Sequence, residues 1–139
     1  MIRRLVTIMV LVLAILRPAL AGENEIRSAQ ATIAAQIEAF LADDDARAYS
    51  FAAPNIKQRF PTLESFMNMV ESGYPMVRAP QSYAFGKVQE LDAKRIVQQV
   101  LIVGPDGRNY EAIYTLELQP DGVHRITGVS LRASNALTT

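Results

Sequence analysis

The chain has 139 residues, 14 of them basic and 14 acidic, with a single histidine and neither cysteine nor tryptophan. That length fits one domain with one sizeable core. The absence of cysteine excludes disulfides and a lipid-modified N-terminal cysteine, and leaves carboxylates as the sole companions His124 would have in a metal site.

The chain opens with two arginines, a largely apolar run from Leu5 to Leu16, and "ALA" before Gly22. These are the basic, apolar and small-residue segments of a secretory signal peptide, residues 1–21, with cleavage expected after Ala21. A run of about 12 residues is short for a membrane span, which needs about 20. The expected location is the periplasm or the medium, with no stable membrane insertion after cleavage; an uncleaved N-terminal anchor is the alternative. Cleavage would remove Arg3, Arg4 and Arg17, leaving 11 basic residues against 14 acidic and a formal charge of −3. No basic patch then remains to suggest nucleic acid.

Residues 22–139 read as a single domain in two halves. From Glu25 to Leu41 the apolar residues Ile26, Ala29, Ile33, Ile37, Phe40 and Leu41 recur at helical spacing, with polar Glu25, Arg27, Gln36 and Glu38 between them. Asp43, Asp44 and Asp45 offer N-caps for a short second helix that stops before Pro54, and "PNIKQRF" suits one further turn. "TLESFMNMVESGY" predicts a helix capped by Thr62 and stopped at Gly73, followed by an extended connection, "PMVRAPQS".

The second half has the period of strands: "SYAFGKVQEL", "KRIVQQVLIV", "NYEAIYTLEL" and "HRITGVSLR". Each Pro-Asp-Gly, at 105–107 and at 120–122, suits a three-residue hairpin loop with glycine in the left-handed position. Residues equidistant from each loop should then face one another. Arg95 faces Glu117, Ile96 faces Leu116, Gln98 faces Tyr114, Val100 faces Ala112 and Ile102 faces Tyr110; beyond the second loop Leu118 faces His124, Glu117 faces Arg125, Leu116 faces Ile126 and Tyr114 faces Gly128. One face collects Ile96, Val100, Ile102, Ala112, Tyr114, Leu116, Leu118 and Ile126, which predicts the core face. The other carries Val97, Leu101, Val103, Ile113, Val129 and Leu131, more apolar than a solvated sheet face, so a homodimer through that face is expected.

Helices followed by a long antiparallel meander give an α+β domain that resembles the NTF2-like (SnoaL-like) fold, a cone of N-terminal helices on a curved sheet of about four strands. Within it the chain resembles the bacterial family DUF4864, on "FAAPNIKQRF" (51–60), on Phe66, Val70, Tyr74, Val77 and Pro80, and on the closing "DGVHRITGVSL". That last strand usually has an aromatic residue where this chain has His124. The resemblance implies the cone fold and brings no activity, cofactor or catalytic residue with it.

Few residues point to chemistry. Three consecutive aspartates diverge and lack the alternate spacing and sharp glycine turn of a calcium loop, so no metal site is expected. "GPDGRN" lacks the lysine and hydroxyl residue of a phosphate loop, and no G-x-S-x-G occurs. On the core face Gln98 and Tyr114 either bond each other in a closed core or, with Tyr110, Tyr83 and His124, line a pocket for a small apolar molecule. Binding, of such a molecule or of another envelope protein, is the first functional expectation, with no cofactor; a cofactor-free isomerase, cyclase or hydrolase using Tyr114 and His124 is the second. No carboxylate is expected on the core face, and His124 is expected to act as an aromatic plug at the sheet end.

Overall fold

The apolar stripe of the first segment does make a helix. In a computed structural model, which describes residues 21–134, α1 spans Ala21–Leu41 and buries Ala29, Ile33, Ile37 and Phe40. Residues 1–20 of the signal segment expected at 1–21, and the last five residues of the expected domain, lie outside the described residues. Leu41 is exposed, so the stripe ends at Phe40, while Gln36, expected on the polar side, is only 5% exposed. The helix stops where Asp43 takes a left-handed backbone, φ 55°, and Asp44 N–H bonds back to Ala39 O at 2.8 Å. Arg78 holds this corner through Asp43 Oδ1 at 2.8 Å and through the carbonyl of Phe40.

Four short helices follow: α2 (Asp45–Ser50), α3 (Pro54–Arg59), α4 (Leu63–Gly73) and α5 (Pro75–Arg78). Asp44 caps α2, accepting from Arg47 N–H, and Thr62 caps α4 in a reciprocal pair with Ser65. The last of them corrects the extended connection expected after Gly73. Pro75 sits at the first helical position, where its missing N–H is harmless and its fixed φ favours a turn.

The sheet is an open antiparallel meander in the order β1 (Ser82–Glu90), β2 (Arg95–Val103), β3 (Asn109–Leu118) and β4 (His124–Ala133). Both Pro-Asp-Gly loops have glycine at positive φ, 76° at Gly107 and 82° at Gly122. The β2–β3 register is the expected one throughout, Gln98 facing Tyr114 and Arg95 facing Glu117. Between β3 and β4 the pairs Leu118–His124, Glu117–Arg125 and Leu116–Ile126 also hold.

Beyond Ile126 the expected register fails. A bulge places both Thr127 and Gly128 against Thr115, so Tyr114 faces Val129 and Ala112 faces Leu131. One extra residue turns every later side chain of β4 to the other face. Val129 and Leu131 therefore pack against the core instead of joining the outer surface, and the expected dimer patch shrinks to Val97, Leu101, Val103 and Ile113. Thr127 marks the bulge, its hydroxyl bonding Thr115 Oγ1 at 2.9 Å and Thr115 O at 3.1 Å.

The helices sit on the core face, with α1 against β1, β2 and β4 and α3 against β4. At its free edge β4 gains a short parallel partner from the α2–α3 junction: Ala53 N–H donates to Ile126 O at 2.8 Å and Ile126 N–H to Phe51 O at 2.9 Å. That pairing covers part of an edge that would otherwise be open to other strands.

Candidate functional site

The bulge and the edge pairing together make a cavity. Past Ile126 the edge carbonyls of β4 are taken by side chains from two helices: Asn55 of α3 donates to Thr127 O at 2.9 Å, and Tyr74, just after α4, donates to Val129 O at 3.0 Å. Between these two ties α3 and α4 stand apart, leaving a space of about 420 Å³. Phe40, Phe66 and Val70 form one wall, Ile56 and Phe60 another, and Ile126 to Val129 the third. Tyr49 braces the helix side, its ring 4.8 Å from that of Phe66 and its hydroxyl donating to Phe60 O.

Polar groups in this lining are few and differ in depth. Gln36 of α1 is buried; its Nε2 donates to Ala48 O at 3.1 Å, which fixes the amide's orientation and leaves the oxygen without a hydrogen bond among the described residues. Arg59 of α3 is exposed beside Phe60, 5.9 Å from the ring centre. Among the described residues it is the sole charged one in the lining, and no carboxylate stands within 4.0 Å of it. Such an arrangement can bind; of the hydroxyl groups in the lining, Tyr74 donates to Val129 O and Thr127 bonds Thr115.

None of the residues expected to line a pocket, Tyr83, Gln98, Tyr110, Tyr114 and His124, lines this one. Gln98 and Tyr114 are neighbours across the strands, as expected, but do not bond each other. Gln98 accepts from Gln30 Nε2 at 3.0 Å and donates to Gln99 O at 2.7 Å, so its needs are met elsewhere. Tyr114 is fully buried and its hydroxyl has no partner among the described residues, and burial first, then the Tyr83 phenol, pushes its ionisation far above the usual phenol range. Tyr110 turns back onto its own loop, donating to Asp106 Oδ2 at 2.6 Å. Tyr83 is half-buried, edge-on to Phe85 at 6.0 Å. The residue expected on the outer face, Val129, is the one that reaches the cavity.

His124 is buried, as expected of a plug, yet it is held by polar groups the sequence reading missed. Its Nδ1 lies 2.8 Å from Ser28 Oγ and its Nε2 3.0 Å from Glu25 Oε2, while Thr32 donates to its carbonyl at 2.7 Å. The Glu25 contact is close but poorly aligned for a hydrogen bond. Glu25, Ser28 and Thr32 recur at three- and four-residue spacing, so one face of α1 presents all three to the end of β4. A serine, a histidine and a carboxylate in a row resemble a nucleophile, base and orienting acid. Here the ring is 1% exposed, the serine sits inside a helix whose N–H groups are engaged, and none of the three lines the cavity beside β4. The group ties α1 to β4.

A second, shallower hollow lies on the outer face of the sheet, where Lys87, Val97, Gln99, Glu111, Ile113 and Arg132 meet. Arg132 grips Glu111 with two bonds of 2.9 Å and thereby holds that carboxyl below its usual range. Among the described residues no three histidine, aspartate or glutamate side chains come together as a metal would need, and no helix is long and apolar enough to cross a membrane.

The model of a family described as a domain of unknown function, DUF4864, matches residues 23–139. The chain belongs to the DUF4864 family. No curated protein matches it. In this DUF4864 domain three separate stretches converge on the cavity: 51–60 supplies Ala52, Asn55, Ile56, Arg59 and Phe60; 66–77 supplies Phe66, Met69, Val70, Tyr74 and Val77; and the closing strand supplies Ile126 to Val129.

Proposed function

We propose that the protein is an exported binding module of the NTF2-like type, which takes a small apolar molecule into the cavity between α3, α4 and the edge of β4. The observation that carries this reading is a space of about 420 Å³ with mostly apolar walls and a few polar groups at separate depths. Ligand pockets occupy about 300 to 1,000 Å³ and share that make-up. Both walls are tied to β4 by side-chain hydrogen bonds, so the space is pre-formed, and a ligand need not order them. The NTF2-like placement is supported by the order of helices and meander, and export by the basic, apolar and small-residue pattern of residues 1–21.

The test is titration with N-phenyl-1-naphthylamine, a neutral dye whose emission rises in apolar surroundings. Saturable binding at one site, lost when Met69→Trp fills the cavity from α4, is the expected result, provided the variant melts like the parent. Absence of saturable binding, or binding unaffected by the substitution, overturns it.

A second reading, compatible with the first, is self-association through the outer sheet face. Leu101 is 42% exposed there, and Val97, Val103 and Ile113 are absent from the set of apolar side chains packed on the core. The same face carries both signs of charge, Lys87 and Arg132 with Glu111, so a second copy can set unlike charges opposite one another.

A further inference from the structure

Resting on the cavity reading above, we infer that the ligand is an amphipathic organic acid: an apolar body within the cavity, an acid group met by Arg59 at the mouth, and a hydroxyl met by Gln36 inside. Arg59 is exposed, belongs to the lining, and is balanced by no carboxylate within 4.0 Å among the described residues. Among the described residues the walls contain no acidic residue that would repel an anion. A guanidinium beside an apolar cleft favours a carboxylate at that point, where its fork of N–H groups can take both oxygens.

Gln36 sets the inner requirement. With one Nε2 hydrogen committed to Ala48 O, the side chain offers its oxygen as an acceptor and one further N–H, and it is 5% exposed beside the apolar Phe40, Phe66 and Val70. Its oxygen is not among the side-chain atoms closed off from solvent without a partner, so it is open to the cavity; a ligand that shuts it off from solvent gains if it donates a hydrogen bond there over one that cannot. The donor must be neutral and slender to fit among Phe40, Phe66 and Val70, and an alcohol meets both needs. Charge at the rim and a hydroxyl at depth distinguish this ligand class from a plain hydrocarbon or sterol-like body.

The magnitudes separate the two contacts. An exposed ion pair contributes about 0.2–1 kcal/mol, which is up to about fivefold in affinity. A buried neutral hydrogen bond contributes about 0.5–1.5 kcal/mol, or up to about tenfold.

Displacement of N-phenyl-1-naphthylamine by decanol, decanoate and 10-hydroxydecanoate, on the full chain at a pH where the acids are ionised, tests the inference. Expected is decanoate about threefold to fivefold better than decanol, and 10-hydroxydecanoate better again by up to about tenfold. Arg59→Gln should bring decanoate to the level of decanol, with each competitor read against the variant's own affinity for the uncharged dye. Equal competition by decanol and decanoate, or an Arg59→Gln protein that keeps the preference, overturns the acid assignment. Equal competition by decanoate and 10-hydroxydecanoate overturns the role of Gln36. Failure of the dye itself to bind is a different result, because it removes the cavity reading on which this one rests.

Discussion

Glu25 and His124 meet across the join between the first helix and the last strand, Oε2 to Nε2 at 3.0 Å, with Ser28 on the other ring nitrogen. The imidazole thus fills space in the core and fastens α1 at once. His124→Ala should destabilise the protein by about 3 kcal/mol, as deletion of a buried ring does, measured by urea unfolding. His124→Phe keeps most of the volume and should lose no more than about half of that. His124→Trp forces a larger ring into a site only 1% exposed and should lower the melting temperature. A raised melting temperature for His124→Trp would mean that the site has room and the polar grip is dispensable.

Tyr114 is the reverse case, a buried hydroxyl with no hydrogen-bond partner among the described residues. Tyr114→Phe removes an unsatisfied group without changing the ring and should stabilise the fold by about 1 kcal/mol. Its ionisation, raised by burial, also shapes the alkaline limb. Unfolded tyrosines lose their protons near pH 10. The folded Tyr114 keeps its proton there, so above pH 10 the native state binds more protons than the unfolded state and stability falls as pH rises. Urea midpoints at pH 8 and pH 10.5 should drop less for Tyr114→Phe than for the parent; an equal drop would assign the alkaline limb to other groups.

Acid loss of stability should come from four paired carboxylates. Hydrogen bonds from Arg95, Tyr110, Arg132 and Arg125 hold Asp92, Asp106, Glu111 and Asp121 respectively below their ordinary range. In the unfolded chain these groups take up protons near pH 4, while in the folded chain they do so only at lower pH. Their contribution is therefore present above about pH 4 and lost as pH falls through the lowered folded values. Melting temperatures between pH 2 and pH 6 should show this slope, and Glu111→Gln should flatten it. An unchanged slope in that variant would leave the Arg132 pair without weight in acid stability.

Self-association predicts that Leu101→Glu or Ile113→Glu yields a folded monomer, because each places a charge in the middle of the outer sheet face. Sedimentation velocity of parent and variants, with circular dichroism to confirm folding, is the check. Identical sedimentation for all three would remove the second reading and leave the cavity reading untouched.

Loop chemistry and strand alternation were enough to place most of the sheet. Two Pro-Asp-Gly loops close hairpins whose turn geometry sets the register of their neighbours, so every β2–β3 pair and the first three β3–β4 pairs are readable before any packing is known. The caps at Asp44 and Thr62 and the buried stripe of α1 are equally local. Two signals were available and passed over. Gly128, isolated within a strand, marks a bulge, and Pro75 suits the first position of a helix.

The candidate site was decided by tertiary structure. Its walls come from α1, α3, α4 and β4, and no periodicity within any one of them says how far the others stand from it. Gln36 and Glu25 read as polar residues of a helix face until Ala48 takes the nitrogen of the one and β4 brings His124 against the other from nearly 100 positions away. By itself the sequence determined what depends on neighbours along the chain: helix faces, caps, hairpin loops and the pairing next to them. Only the tertiary structure decided what depends on groups distant in sequence, because one bulged residue at Thr127 reverses the rest of a strand and moves Val129 from an expected interface into the wall of a cavity.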